Sequence, residues 1–374
     1  MLDGFRAMAI LLVIGFHYGV RWTTPWSANL YPHGDLFAGA FVLRYGWAAV
    51  ELFFMMSGFV ILLTLERCEG VVDFFRKRIA RLWPALVLCA AITTAMLAAF
   101  GPHSWLKDPL SFVLSVMFVD PDLVQRFVPG VDVGWIDGAY WTLAVEMRFY
   151  LLAALVFLVG RRRFLGAWLG LQLVGFLFGV PGLKELHALW LPRALLMPVY
   201  LPYFTLGICF FEVFRDKAWR PLPSAGVAMS IVMVGVNAGL WGAFASRGET
   251  GPVLAINAAW IVLFWLFVIG SPLVRPFAFR PLARIGEASY ALFLLHEAAG
   301  IALMNALDAA GLHPLANLAL VTAVMIGASM LIFRFVEEPA KGWILNAAKG
   351  LSHAVSLRAP WLNYVPPLTR PQSV

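Results

Sequence analysis

The side chains in this sequence best suited to chemistry are ionisable residues set inside apolar stretches. Leu2–Gly19, LDGFRAMAILLVIGFHYG, carries Arg6 and, eleven residues on, His17. At about 100° per residue, eleven steps return to within about 20° of the same face, roughly 16 Å further along a helix. A helix of bilayer length therefore presents an arginine at one end and a histidine near mid-depth on one stripe. Such a histidine can take and return a proton near neutral pH. The plainer reading has Arg6 reaching to the headgroups and His17 bonding a neighbouring helix.

Other stretches add to this stripe. WAAVELFFMMSGFVILLTL carries Glu51 about a turn and a half from its start and Ser57-Gly58 near its middle. Burying a carboxylate without a partner costs several kcal/mol. Glu51 is therefore expected to pair with His17 and to fix its tautomer, whereas Ser57 and Gly58 read first as helix-packing residues. YWTLAVEMRFYLL places Glu146 at similar depth, with Arg148 two residues on and so on another face; each needs a partner elsewhere. ASYALFLLHEAAG adds His296 and Glu297. No HxxE or HxxxH spacing supports a metal site among these residues, and none is expected. A second cluster, Arg76-Lys77-Arg78 and Arg81, precedes Trp83-Pro84. Arg78 and Arg81 share a helix face. They serve either as inside anchors or, with Arg6, as a clamp for phosphates.

The elements that must position these residues follow from composition. The chain is 61% hydrophobic and 13% charged, with a mean hydropathy of +0.81, against about 25% charge in soluble domains. It reads as an all-α, polytopic membrane helix bundle of about ten transmembrane helices. The segments fall near 7–23, 46–65, 82–100, 141–160, 164–180, 196–214, 223–244, 252–270, 288–306 and 315–336. The run Leu110–Val119 is too short to span and reads as a re-entrant or surface piece. The first run, which holds Arg6 and His17 and has no basic region before it, reads as a span and not as a cleavable signal peptide. Residues 1–340 form the membrane domain and 341–374 a polar cytoplasmic tail.

Charge distribution sets the orientation. With the N-terminus inside, 20 of the 28 basic residues fall in inside segments and seven outside, so both termini are expected in the cytoplasm. The net charge of +7 belongs to this pattern, and nucleic acid is not an expected partner. The acidic, Gly- and Pro-containing loop 120–140 is long enough to shape a site on the outer face. Cys68, Cys89 and Cys209 form no CxxC pair and imply neither a disulfide framework nor zinc.

Set in order, six stretches resemble the acyltransferase-3 family of membrane-embedded, acyl-CoA-dependent and mostly sugar O-acyltransferases. They are LDGFRAMAILLVIGFH (Leu2–His17), VELFFMMSGFVI (Val50–Ile61), RKRIARLWPAL (Arg76–Leu86), WTLAVEMRFYLL (Trp141–Leu152), IGEASYALFLLHE (Ile285–Glu297) and FRFVEEPAK (Phe333–Lys341). The resemblance implies His17 as the catalytic histidine with Arg6 its paired arginine, and Arg78 and Arg81 as the RxxR element for the acyl donor. Glu51 stands where many members have aspartate, Ser57-Gly58-Phe59 matches an SGF element placed with the donor-binding residues, and Glu146 matches the glutamate of the tryptophan-containing element. Ala7 and Ala49 replace common glycines, Thr142 a common serine, and Arg148 stands where glutamine is frequent.

On this resemblance the chain is expected to move an acyl group, acetyl by family frequency, from cytoplasmic acyl-CoA to a hydroxyl of a carbohydrate or glycolipid. Catalysis is assigned to His17, Glu51 and Glu146, and acyl-CoA binding to Arg6, Arg78, Arg81 and Ser57. Acyl-CoA is a co-substrate, no cofactor is expected, and the setting is the bacterial inner membrane. Transfer is expected within the membrane unit or with a separate partner. His17 can act as general base on the acceptor hydroxyl or as a nucleophile through an acyl-histidine. The competing class is a proton-coupled transporter, which also uses intramembrane His, Glu and Arg. No repeated pair of interrupted helices and no internal symmetry favours it.

Overall fold

A computed structural model describes residues 1–21, 33–180, 182–183, 185–238 and 249–346. The described residues are mainly helical, with no strand among them. In hydrocarbon every backbone N–H and C=O must find a partner inside its own segment, which long apolar runs achieve only as helices. The main helices are α1 (Leu2–Gly19), α2 (Ala49–Glu66), α3 (Val71–Phe100), α4 (Trp141–Phe157), α5 (Phe164–Leu177) and α6 (Leu201–Asp216). They continue with α7 (Pro221–Val236), α8 (Thr250–Val268), α9 (Ser289–Leu295), α10 (Ala298–Ala309) and α11 (Pro314–Ile332).

The described part of each of the ten expected segments falls on one of these helices or helix pairs, with residues 22–23 and 239–244 outside the described residues, but among the described residues ten spans are not reached by length. Among the described residues seven helices are long and apolar enough to cross a membrane, eight if the bent pair α9–α10 is one span. Phe164–Leu177 and Pro221–Val236 are apolar but shorter. The run expected to be re-entrant or at the surface forms the helix Pro109–Val116, capped by Asp108, whose side chain accepts from the Ser111 amide at 2.9 Å. Residues 347–374, most of the expected polar tail, lie outside the described residues.

The described residues divide into two compact units. The first comprises Met1–Val50, Ile79–Ala144 and Leu273–Leu345. Here α1 packs along the helix Arg280–Glu287, with Phe5 edge-on to Phe277 at 4.8 Å. Next to this pair, α9 and α10 meet at a 59° bend.

The second unit comprises Glu51–Arg78 and Val145–Pro272. Its centre is α6, on which every residue from Leu201 to Val213 is buried, so this helix is enclosed on all sides. The helix packs against α5, α7 and α8. The crossing of α2 and α6 is set by two glycines. A Cβ on Gly58 would run into the Phe204 carbonyl, and one on Gly207 into the Met55 carbonyl. Small residues let two backbones approach this closely where no water drives association. Phe149 and Phe204 stack at 3.9 Å nearby, and Trp168 donates its indole N–H to Thr205 Oγ1 at 2.9 Å.

Candidate functional site

His17 lies in the last turn of α1 and is buried. Its Nδ1 is 2.9 Å from the Val13 carbonyl oxygen, one turn back. A carbonyl only accepts, so Nδ1 carries the hydrogen and Nε2 keeps its lone pair. The same logic fixes His296, whose Nδ1 is 2.8 Å from the Phe293 carbonyl. Its Nε2 is thus an acceptor, and it lies 3.1 Å from His17 Nδ1. The His17 Nδ1–H is therefore shared between the Val13 carbonyl and His296 Nε2. The two rings meet edge to face, 4.8 Å apart.

On the other side of the His17 ring stand two charges. Arg21 Nη1 donates toward Nε2 at 3.3 Å. Glu297 Oε1 is 3.7 Å from Nε2 and 3.7 Å from Arg21 Nη2. Depth alone pointed to Glu51 as the carboxylate beside His17; within the first unit that place is held by Glu297. Nor does a carboxylate fix the tautomer, as expected, because a backbone carbonyl does so.

The bend between α9 and α10 explains how His296 and Glu297 come to this position. Breaking a helix orphans carbonyls before the break and amides after it. The Phe293 carbonyl takes the His296 Nδ1–H. The Leu294 carbonyl accepts from Tyr140 Oη at 3.3 Å and the His296 carbonyl from Tyr18 Oη at 2.7 Å. On the far side, the Ala298 amide donates to Asp137 Oδ2 at 2.8 Å, while Asp137 Oδ1 accepts from the Ala139 amide at 2.9 Å. Burial and the neighbouring Glu297 carboxylate push the Asp137 carboxyl well above the usual carboxylate range, and the two amides oppose that rise. Gly138 keeps the approach open: a Cβ there would be 2.8 Å from Glu297 Oε1. The loop 120–140 thus contributes to this site through Asp137.

In the second unit, Ser57 on α2 and Tyr150 on α4 both donate to Glu146 Oε1, the serine at 2.7 Å. The Tyr150 ring lies 5.0 Å from the guanidinium carbon of Arg78, and the Phe74 ring 5.5 Å. Arg78 is buried and donates to Thr64 Oγ1. Its Nε has no hydrogen-bond partner, and among the described residues no carboxylate pairs with it. Ser57, Glu146 and Arg78 are thus joined through Tyr150. Glu51 is hydrogen bonded to Tyr203 on α6, with its second oxygen buried and unpartnered. Arg148, on another face from Glu146, reaches the Ala194 carbonyl at 3.4 Å.

The remaining predicted residues belong to the first unit. Arg6 pairs with Asp3 at 2.6 Å, one turn away on α1. Arg81, one turn beyond Arg78 on α3, supplies positive charge beside the buried Glu337. Tyr18, Arg21, Asp137, Tyr140 and Tyr150 were not singled out in the sequence. Arg21 and Tyr150 could have been, since each lies four residues after a candidate residue, His17 and Glu146, Tyr150 on the same helix face and Arg21 just past the end of α1. No spacing marks the other three.

The chain is 24% identical over 371 residues to the O-acetyltransferase OatA of Staphylococcus aureus, covering 91% of this chain and 57% of that protein. It is 26% identical over 281 residues to the acyltransferase MdmB of Streptomyces mycarofaciens, covering 68% of each. To an O-acetyl transferase of Shigella phage Sf6 it is 27% identical over 152 residues, 38% of this chain and 41% of that one. The chain therefore spans less than two thirds of the length of two of these relatives. No solved structure matches. The profile of the acyltransferase-3 family, described as an acyltransferase domain, matches residues 1–334, nearly all of the described helices, and the chain belongs to that family.

Proposed function

We propose that this chain is a membrane-embedded O-acyltransferase that moves an acetyl group from acyl-CoA to a hydroxyl of a carbohydrate or glycolipid, with His17 as general base. The observation that carries the reading is the His17 tautomer. With Nδ1–H held by the Val13 carbonyl and His296 Nε2, the lone pair that can take a proton is on Nε2. The acceptor hydroxyl gives its proton to Nε2 as its oxygen attacks the thioester carbonyl. The imidazolium keeps its Nδ1–H bonded, and Glu297 at 3.7 Å balances its charge. Collapse breaks the carbon–sulfur bond, and the leaving thiolate takes the proton from Nε2 to depart as the thiol.

Acyl-CoA as donor is supported by Arg78. A buried guanidinium without a carboxylate is costly unless an anion binds to it, and its fork and stacking rings suit phosphate oxygens. Acetyl is supported by the names of the O-acetyltransferase relatives. The excess of Lys and Arg in alternate connections supports a bacterial inner-membrane setting with both termini in the cytoplasm.

Purified protein in liposomes, given acetyl-CoA labelled in the acetyl group and lipid-linked glycan from native membranes, tests the reading. Acceptor-dependent thioester loss with base-labile label on the glycan is the expected result. Glycan uptake with no thioester loss would instead make the chain a transporter.

A further inference from the structure

We propose that Arg21 is a catalytic residue that stabilises the oxyanion formed on the acyl carbonyl; this rests on the acyl-transfer reading given above. The two halves of its guanidinium face different partners. Nη2 lies 3.7 Å from Glu297 Oε1 and Nη1 3.3 Å from His17 Nε2. A cation donating to the lone pair of a general base opposes that base, so the contact belongs to the resting enzyme. When the acceptor hydroxyl occupies the place beside Nε2, Nη1 is displaced while Nη2 stays with Glu297. The displaced N–H group is then next to the reacting atoms. The oxyanion forms within about 3 Å of the attacking oxygen, in reach of a donor that starts from Nε2 itself.

Among the described residues, three other hydrogen-bond donors around this centre are committed to the backbone. Tyr18 donates to the His296 carbonyl and Tyr140 to the Leu294 carbonyl. His296 Nδ1 donates to the Phe293 carbonyl. Arg21 is also the accessible member of the group, with its side chain 40% exposed against 7% for His17 and 2% for Glu297. In the step, the acceptor oxygen bonds to the acyl carbon and its proton passes to His17 Nε2. The carbonyl electron pair moves onto oxygen against the guanidinium, then returns as the carbon–sulfur bond breaks. The sulfur leaves with the proton from Nε2.

The plainer role for Arg21 is as a cation just past the end of α1, where it would favour the helix dipole. That role needs a charge but neither a fork nor a position at Nε2, so the two are separable. The test measures kcat and KM for acetyl-CoA and for the glycan in proteoliposomes of wild type, H17A, R21Q, R21K and R21A, each taken from the monodisperse fraction. R21Q is expected to lose about 10²–10³ in kcat, with both KM values within about threefold of wild type. R21K is expected to recover a small part of the loss, and added methylguanidinium to raise the rate of R21A. The inference is overturned if R21Q keeps its kcat within about threefold, if only KM changes, or if R21K is fully active while methylguanidinium does nothing for R21A. Wild-type protein that transfers no acetyl would remove the proposed function, and this inference with it. Activity in wild type but not H17A, with R21Q unimpaired, would remove the inference alone.

Discussion

The two units of this chain hold buried polar groups in opposite ways. In the first, the polar groups gather where a helix is broken. The bend between α9 and α10 frees carbonyls at Phe293, Leu294 and His296, and side chains of His296, Tyr140 and Tyr18 occupy them. In the second, the helices that carry Ser57, Glu146 and Arg78 run unbroken, and α2 and α6 cross at Gly58 and Gly207. There the side chains bond one another, and one guanidinium is left without a carboxylate. The difference teaches how each unit can serve a reaction. Backbone carbonyls accept and never donate, so the Phe293 carbonyl at the break fixes the His296 tautomer, and His296 Nε2 joins the Val13 carbonyl of α1 in holding the His17 Nδ1–H and leaving Nε2 as the base. Intact helices offer their carbonyls only as a second acceptor to a side chain one turn on, as Val60 does to Thr64, so the buried Arg78 cation among them is left to be satisfied by a ligand.

If the second unit depends on close unbroken packing, the largest effect should come from its glycines. Gly207→Val is expected to cost about 3 kcal/mol or more, since the backbones must part. A thermal unfolding scan in detergent checks this, and a variant that melts with wild type would show that the crossing is not tight. The next effect is on the ligand cation. Arg78→Ala is expected to raise KM for acetyl-CoA about 10- to 100-fold, as charge-assisted bonds are worth about 1.5–3 kcal/mol. An unchanged KM would mean that this guanidinium is structural.

In the first unit the corresponding change is Asp137→Ala. It strips two buried amides of their acceptor, but it also removes a carboxyl set against Glu297, so the net cost is expected near 2 kcal/mol. Activity should fall as the bend loosens, and Asp137→Asn, with one good acceptor oxygen, should lie between. Wild-type stability in Asp137→Ala would show that the break holds itself. The smallest effect is expected from Tyr150→Phe, which loses the bond to Glu146, worth about 1 kcal/mol, and keeps the ring beside Arg78. Its KM for acetyl-CoA should rise about fivefold or less; a rise as large as that of Arg78→Ala would place the anion on the hydroxyl.

Much of this contrast was legible in the sequence, and its gaps have physical causes. Apolar runs gave the helices, because backbone satisfaction in a membrane admits few alternatives. Depth along those runs singled out His17, Glu51 and Glu146. Depth does not give azimuth or neighbour, which is why Glu51 was matched to His17 although the structure bonds it to Tyr203 and sets Glu297 beside the imidazole. The bend itself is hidden, since ASYALFLLHEAAG has no proline and its glycine, Gly300, lies past the break. Asp137 was hidden for the same reason: a loop acid becomes a cap only once the break supplies an orphan amide.

The account stands on His17 Nε2 as the base, with His296 holding the opposite nitrogen. The most direct measurement is acyl transfer to the native glycan by H17A and H296A at matched levels of folded membrane protein. General-base help is typically worth about 10²–10⁴ in rate. H17A is predicted to lose transfer by at least that factor, with H17Q no better because it cannot take the proton. H296A should keep measurable transfer at a reduced rate, since the Val13 carbonyl still holds the His17 Nδ1–H. Sustained transfer by H17A, with none by H296A, would contradict the assignment and move the base to the bend.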